Sequence, residues 1–211
     1  LSIKAITFDF WSTLYQGQAI DYTERMRRLK ANVEAGSKTK IELEQFEAAV
    51  RVARDTWSQA WIEEHRTLSA HDWLSILVEQ LGVSLNGRHR LKIQADMENR
   101  VLVDTPSLVP EAAEVLAELS TRYSLAIISD TGITPGRVLR QVLEADGILP
   151  YFTHLTFSDE VGRSKPHPDT FFTTLAALEA KPDEAVHVGD LLRTDIAGAQ
   201  GVGMRGVQYT G

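Results

Sequence analysis

A chain of 211 residues, 43% hydrophobic and 24% charged, has the make-up of one globular domain or a core with a modest insertion, which excludes collagen, coiled coil and wholesale disorder. Its 22 basic and 29 acidic residues leave a formal charge of −7, so no global basic field exists to hold nucleic acid. The lack of cysteine removes disulfides, thiolate catalysis and Cys-ligated zinc, and it makes the cytoplasm the default expectation. Neither a run of about 18 apolar residues nor a signal-like order in the opening LSIKAITFDF is present, so a membrane partner is not expected. The opening Leu, and an end four residues past the last apolar run, point to trimmed termini.

In chain order, Ile3 to Phe8 is an apolar, β-branched run suited to a buried strand. The next stretch is helical. Tyr22, Met26, Leu29 and Val33 recur at helical spacing, as do Phe46, Val50, Ala53, Trp57 and Trp61. Trp57, Trp61 and Trp73 read as packing for this segment's own core, and Arg25, Arg27, Arg28 and Lys30 as a solvated helix face. Ser69, followed three residues later by Asp72, is a variant capping box opening a helix through Leu81; Leu91 to Leu102 supports another. Helix is expected from about Asp21 to Val103.

Beyond this stretch Ser124–Ile128, Phe152–Phe157, Ala185–Val188 and Met204–Val207 are further strand candidates, separated by helical segments. Pro110, Pro135 and Pro168 sit where first helical turns begin, and Gly147 and Gly203 where helices end. Strands alternating with helices predict a parallel sheet. Residues 15–103 hold 13 basic and 13 acidic residues, against 9 and 16 elsewhere, which marks them as a distinct unit. The expected fold is an α/β core of residues 1–14 and 104–211 with a helical insertion of residues 15–103 after its first strand.

Ligands of an open parallel sheet bind beyond the carboxyl ends of its strands. Those ends carry Asp9-Phe10-Trp11-Ser12-Thr13-Leu14, Ser129-Asp130-Thr131-Gly132, the loop Gly162-Arg163-Ser164-Lys165-Pro166, and Gly189-Asp190. In this order they resemble the four motifs of the haloacid dehalogenase superfamily of hydrolases, and the resemblance spans essentially the whole chain. It implies a Rossmann-like, three-layer core in which residues 15–103 form an all-helical cap domain.

The resemblance also implies roles. Asp9 would be the nucleophile, splitting hydrolysis of a phosphoric ester into formation and breakdown of an aspartyl-phosphate. Mg²⁺ would be held by Asp9, Asp190 and the backbone carbonyl of Trp11, with Asp195 as a further ligand or as an acceptor behind the ligands. Ser129 would donate to a phosphoryl oxygen alongside the backbone N–H of Asp130, and Lys165 would supply a fixed positive charge. Thr13 would hydrogen-bond within the first-strand loop, at the edge of the substrate. The partner would be a small phosphorylated molecule, acted on by a monomer or a homodimer.

One position departs from the pattern. Phosphatases of the superfamily carry a second Asp two residues after the nucleophile, which protonates the leaving oxygen; here Trp11 stands there, and indole cannot exchange that proton. Three readings follow. The first is a Mg²⁺-dependent phosphohydrolase acting on an activated ester or anhydride, or borrowing an acid from the cap or from His167. The second is a haloacid dehalogenase, which needs no such proton, or a phosphonatase, which needs a cap lysine from among Lys30, Lys38, Lys40 and Lys92. The third is a non-catalytic protein that binds a phosphorylated ligand.

Overall fold

The computed structural model describes residues 2–17 and 22–211; Asp21, the expected start of the helical stretch, lies outside the described residues. After β1 (Ala5–Phe8) and a short β2 (Tyr15–Gln16) come four helices, α1 (Tyr22–Ser37), α2 (Leu43–Ile62), α3 (Ala70–Gln80) and α4 (Gly87–Glu98). The chain returns through β3 (Ser107–Leu108), which pairs antiparallel with β2. Then follow α5 (Ala112–Ser120), β4 (Ser124–Ser129), α6 (Gly136–Ala145), β5 (Phe152–Phe157), α7 (Ser158–Val161), α8 (Pro168–Ala177), β6 (Ala185–Gly189), α9 (Ala197–Gly201) and β7 (Arg205–Gln208).

Five strands form one parallel sheet in the order β5-β4-β1-β6-β7. The chain thus fills one side of β1 first and the other side later, which is the Rossmann-like pattern. Its topological switch point, where loops diverge and leave a crevice, falls between β1 and β6. β4 has every residue after Ser124 buried, as expected of a strand covered on both faces. One face packs Leu125 and Ile127 with Phe8, Phe10, Leu139, Val142 and Phe157. The other packs Ala126 and Ile128 with Phe171, Leu175 and Met204. Two helical layers around one sheet follow from this division of alternate residues.

The helices between β2 and β3 bury a separate cluster that includes Val33, Phe46, Ala53, Trp73, Leu77 and Ile93. Truncating a residue as enclosed as Leu77, at 0% exposure, would cost about 2–5 kcal/mol. Tyr15 and Val101, near the two ends of the insertion, pack instead with the sheet's cluster. The α3 capping box forms as expected: Ser69 Oγ accepts from the Asp72 N–H at 3.2 Å, and Asp72 Oδ2 accepts from the Ser69 N–H at 3.0 Å.

α4 starts four residues before the expected Leu91, because Asn86 Oδ1 accepts from the His89 N–H at 3.0 Å and caps it. A separate 3₁₀ turn covers Arg100–Leu102. Pro168 opens α8 as expected, whereas α5 begins at Ala112, two residues after Pro110, behind a left-handed Glu111. Gly147 and Gly203 end α6 and α9 at φ 70° and 89°. Tyr22 stays 55% exposed despite its place on the apolar stripe of α1. Among the described residues no helix is long and apolar enough to cross a membrane.

Candidate active site

Asp9 is the residue after β1, and its N–H donates to the Val188 carbonyl at 2.8 Å. That bond extends the ladder by one residue and sets the carboxylate at the crevice between β1 and β6. Lys165 reaches it from the loop before α8: its Nζ lies 2.6 Å from Asp9 Oδ1 and 2.6 Å from Asp195 Oδ1. Asp9, Lys165 and Asp195 are 6%, 2% and 1% exposed, so the ammonium bridges two carboxylates with little water to screen them. Burial alone would depress the Lys165 pKa, but Asp9, Asp195 and Asp130 outweigh it and hold the ammonium charged.

Asp195 is positioned by its neighbours rather than by a helix end. It sits in a π-helical turn, Leu192–Ile196, after β6, and its Oδ2 accepts from the Leu191 N–H at 2.9 Å. Its Oδ1 accepts from His187 Nε2 at 3.2 Å, and His187 Nδ1 lies 2.8 Å from Thr7 Oγ1. Burial lowers the His187 pKa; a neutral ring with its proton on Nε2 satisfies both contacts. The Asp195 approach also explains Gly189, since a Cβ there would stand 2.4 Å from Asp195 Cγ.

Asp190, half-buried, completes the acidic group: Asp9, Asp190 and Asp195 each offer an oxygen within 4.8 Å of the others. Charge is out of balance, with three carboxylates against one ammonium. Burial pushes Asp9 up to about 7 despite the pull of Lys165, and burial followed by the Asp195 charge raises Asp190. Asp195 moves the other way: burial would raise it, but Lys165 and His187 hold it well below the usual carboxylate range. An all-oxygen donor set with surplus negative charge suits a hard divalent cation.

Asp130 carries more than the backbone N–H expected of it. Its Oδ1 accepts from the Lys165 N–H at 2.9 Å, which ties the Lys165 loop to β4, and its Oδ2 accepts from Trp61 Nε1–H at 2.8 Å. Trp61 belongs to α2, so the inserted helices touch the site through this bond. Arg193 lies over the Trp61 ring at 4.4 Å. Nearby, the Ser164 N–H donates to the His65 carbonyl at 2.8 Å, and Thr67 Oγ1 lies 2.6 Å from Ser158 Oγ and 2.8 Å from Ser164 Oγ. Ser129 ends β4 with its hydroxyl buried and 3.4 Å from the Asp130 carbonyl.

The cleft above Asp9 has a volume of about 260 Å³ and is walled by Asp9, Trp11, Ser12, Trp57, Trp61, Asp130, Thr131, Gly132, Lys165, Asp190, Leu191, Thr194 and Asp195. Several expectations change here. Thr13 is not in the wall, and its hydroxyl is buried without a partner among the described residues. The turn is closed by backbone bonds instead, from the Leu14 and Tyr15 N–H groups to the Phe10 carbonyl at 3.2 and 2.9 Å. Trp57 and Trp61 face the cleft, though Trp57 also packs against the helical core in which Trp73 is 6% exposed.

The signal on α2 is that Arg54, Trp57 and Trp61 fall at i, i+3 and i+7, so a polar residue joins the C-terminal end of the apolar stripe. His167 is absent from the wall and caps α8, its Nδ1 accepting from the Asp169 N–H at 3.3 Å. The basic face of α1 also divides, since Arg27, Arg28 and Lys30 pair with Glu24, Asp96 and Glu34 while Arg25 has no such pair among the described residues.

A family model for haloacid dehalogenase-like hydrolases matches residues 3–203. Glyceraldehyde 3-phosphate phosphatase of Methanopyrus kandleri is 27% identical over 207 residues, covering 96% of this chain and 82% of that protein. Among solved structures, a 2-haloacid dehalogenase from Pseudomonas syringae superposes with a TM-score of 0.72 at 22% identity, covering 98% of this chain and 86% of that one. A phosphatase from Thermococcus onnurineus gives 0.66 at 24% identity, covering 99% and 86%. At these identities the two structures speak for the fold alone.

Proposed function

We propose that this chain, which belongs to the haloacid dehalogenase-like hydrolases, is a phosphoric ester hydrolase, as its relative from Methanopyrus kandleri is named, and cleaves a small phosphorylated metabolite through a covalent phosphoryl group on Asp9. The observation that carries this reading is the pair of 2.6 Å contacts from Lys165 Nζ to Asp9 and Asp195 at the switch point. Asp9 Oδ attacks phosphorus in line, the bond from phosphorus to the leaving oxygen breaks, and its electron pair departs with that oxygen. Water then attacks the phosphorus of the acyl phosphate, releasing inorganic phosphate and restoring Asp9. Lys165 favours the charged form of Asp9 against the effect of burial and orients its carboxylate, and the Trp61–Asp130–Lys165 chain holds the lysine loop. Ser129 and the Asp130 N–H would receive the phosphoryl oxygens.

The surplus of negative charge among Asp9, Asp190 and Asp195 fits Mg²⁺, and these three residues with the Trp11 carbonyl would hold it. When bound, the ion neutralises charge between the carboxylates and the incoming phosphoryl group. Residues 15–103 serve in this reading as the cap that excludes water from the cleft.

No proton donor for the leaving oxygen stands out. Trp11 cannot supply one, both oxygens of Asp130 accept hydrogen bonds, and among the described residues no histidine or lysine other than Lys165 lines the cleft. The preferred substrates are therefore esters or anhydrides with good leaving groups. The missing cap lysine also speaks against a phosphonatase, and the three carboxylates against a dehalogenase, whose anionic substrate they would repel.

The test is phosphate release with Mg²⁺ and with chelator, across acyl, aryl and alkyl phosphates. Metal-dependent turnover of the acyl and aryl compounds, falling steeply for alkyl esters, is the expected result. Equal turnover of alkyl esters would show that another group supplies the proton. Release from none of them would overturn the reading in favour of a binding protein or a dehalogenase.

A further inference from the structure

A second chamber of about 330 Å³ adjoins the Asp9 cleft, and the two share Trp11, Trp57, Thr131 and Gly132 in their walls. Where the cleft is acidic, this chamber has no carboxylate in its wall among the described residues: the indoles of Trp11, Trp57 and Trp73 and the side chains of Arg25 and Arg54 stand around the turn 131–134. An apolar cavity of about 150 Å³ already takes a benzene ring, so the chamber has room for a ring and a substituent.

Two donors in it lack partners. Trp57 Nε1–H is buried with no acceptor among the described residues, and it lies 3.7 Å from where a Cβ on Gly132 would stand, at the junction of the two chambers. Gly132 itself has φ +65°, so the loop there keeps its Cβ-free approach to the indole. Half-buried Arg25 makes no hydrogen bond or ion pair among the described residues. The two described carboxylates whose charge acts on it, Asp104 and Asp96, are paired with Arg100 and Arg28. A buried N–H without an acceptor is costly unless a ligand completes it, and a half-buried guanidinium without a direct partner among the described residues is free to receive one.

We propose that the substrate is the phosphate monoester of a phenol-type hydroxyl that carries a second anionic group, with its ring against the indoles of Trp11, Trp57 and Trp73 and its distal anion on Arg25 and Arg54. The proposal rests on the phosphatase reading and gives the absent proton donor a reason. In this substrate the aryl oxygen–phosphorus bond breaks with its electron pair held on the phenolic oxygen, which leaves as a phenolate, while the Asp9 oxygen–phosphorus bond forms. Stacking on indole faces selects a flat leaving group, and a guanidinium reads the second charge through charge-assisted hydrogen bonds.

The experiment compares binding of two non-hydrolysable probes, 4-carboxyphenylphosphonate and its neutral 4-carbamoyl counterpart, in saturating Mg²⁺, followed by quenching of tryptophan fluorescence. The wild type should bind the carboxylate roughly 10- to 100-fold more tightly, as a charged hydrogen bond implies. The Arg25→Gln, Arg54→Gln double variant should bind the two equally. Equal binding by the wild type, or a preference that survives in a folded double variant, would overturn the proposal. Should the variant not fold, the wild-type comparison decides alone, with the 4-aminomethyl probe expected to bind weakest. Failure of phenyl phosphate turnover would count against the phosphatase reading, whereas the two phosphonates report on the chamber independently of turnover.

Discussion

Replacing Lys165 by Met keeps the length of the side chain and removes its charge, leaving Asp9 and Asp195 facing each other in the crevice. Each contact of 2.6 Å is worth roughly 6 kcal/mol of attraction at an effective dielectric of about 20, and two carboxylates within 4.8 Å repel by roughly 3 kcal/mol on the same scale. Much of that attraction offsets the cost of bringing the charges out of water, so the measurable loss should be about 3–5 kcal/mol, as for other buried pairs deprived of one partner.

The loss should depend on pH with a definite sign. Asp9, raised to about 7 in the folded protein, gives stability that is fully present below its unfolded pKa and is lost as pH rises through the folded one. Without Lys165 its folded pKa moves higher still, so the destabilisation grows with pH, and the part belonging to the lost Asp195 contact persists at both ends. Urea unfolding of wild type and Lys165→Met in chelator, at pH 5 and pH 8, measures this. The predicted loss is larger at pH 8 and shrinks in saturating Mg²⁺, which binds the folded form. A loss below about 1 kcal/mol at both values, or a larger one at pH 5, would refute the electrostatic account of the site.

Trp11→Asp should raise hydrolysis of unactivated alkyl phosphates by roughly 10²- to 10⁴-fold, the scale of general acid catalysis, while altering aryl or acyl substrates far less; phosphate release on both classes checks it. Trp61→Phe keeps a ring beneath Arg193 but deletes the N–H that Asp130 accepts. It should cost about 1 kcal/mol of stability, because a half-buried carboxylate oxygen loses its donor, as read from the shift in urea midpoint.

The core was legible because buried parallel strands announce themselves as short apolar runs, and each of the five expected runs coincides with a sheet strand to within a residue or two. The positions of Asp9, Asp130, Lys165 and Asp190 followed from the same reading, since a strand end in such a sheet faces the crevice. What escaped was decided by packing between units. Helical periodicity marks Trp57 and Trp61 as apolar surface, but whether they meet their own bundle or Asp130 depends on how the helices sit on the sheet.

Likewise Arg25 looks like Arg27 and Arg28 in sequence, and only the third dimension gives the latter two carboxylate partners. His187, alternating with valines on β6, could have been flagged as a polar residue facing a buried layer, yet its contacts with Thr7 and Asp195 join segments about 180 residues apart in one case. Thr13 shows the converse: a turn threonine whose hydroxyl the turn does not use.

The central claim is that Asp9 carries the phosphoryl group. Rapid acid quench of the Mg²⁺-loaded enzyme during turnover of an aryl phosphate, followed by borohydride reduction and peptide mass spectrometry, tests it directly. The account predicts reduction of Asp9 to homoserine only in the presence of substrate, and no label in Asp9→Asn. Steady phosphate release without modification of Asp9, or with full activity in Asp9→Asn, would contradict it.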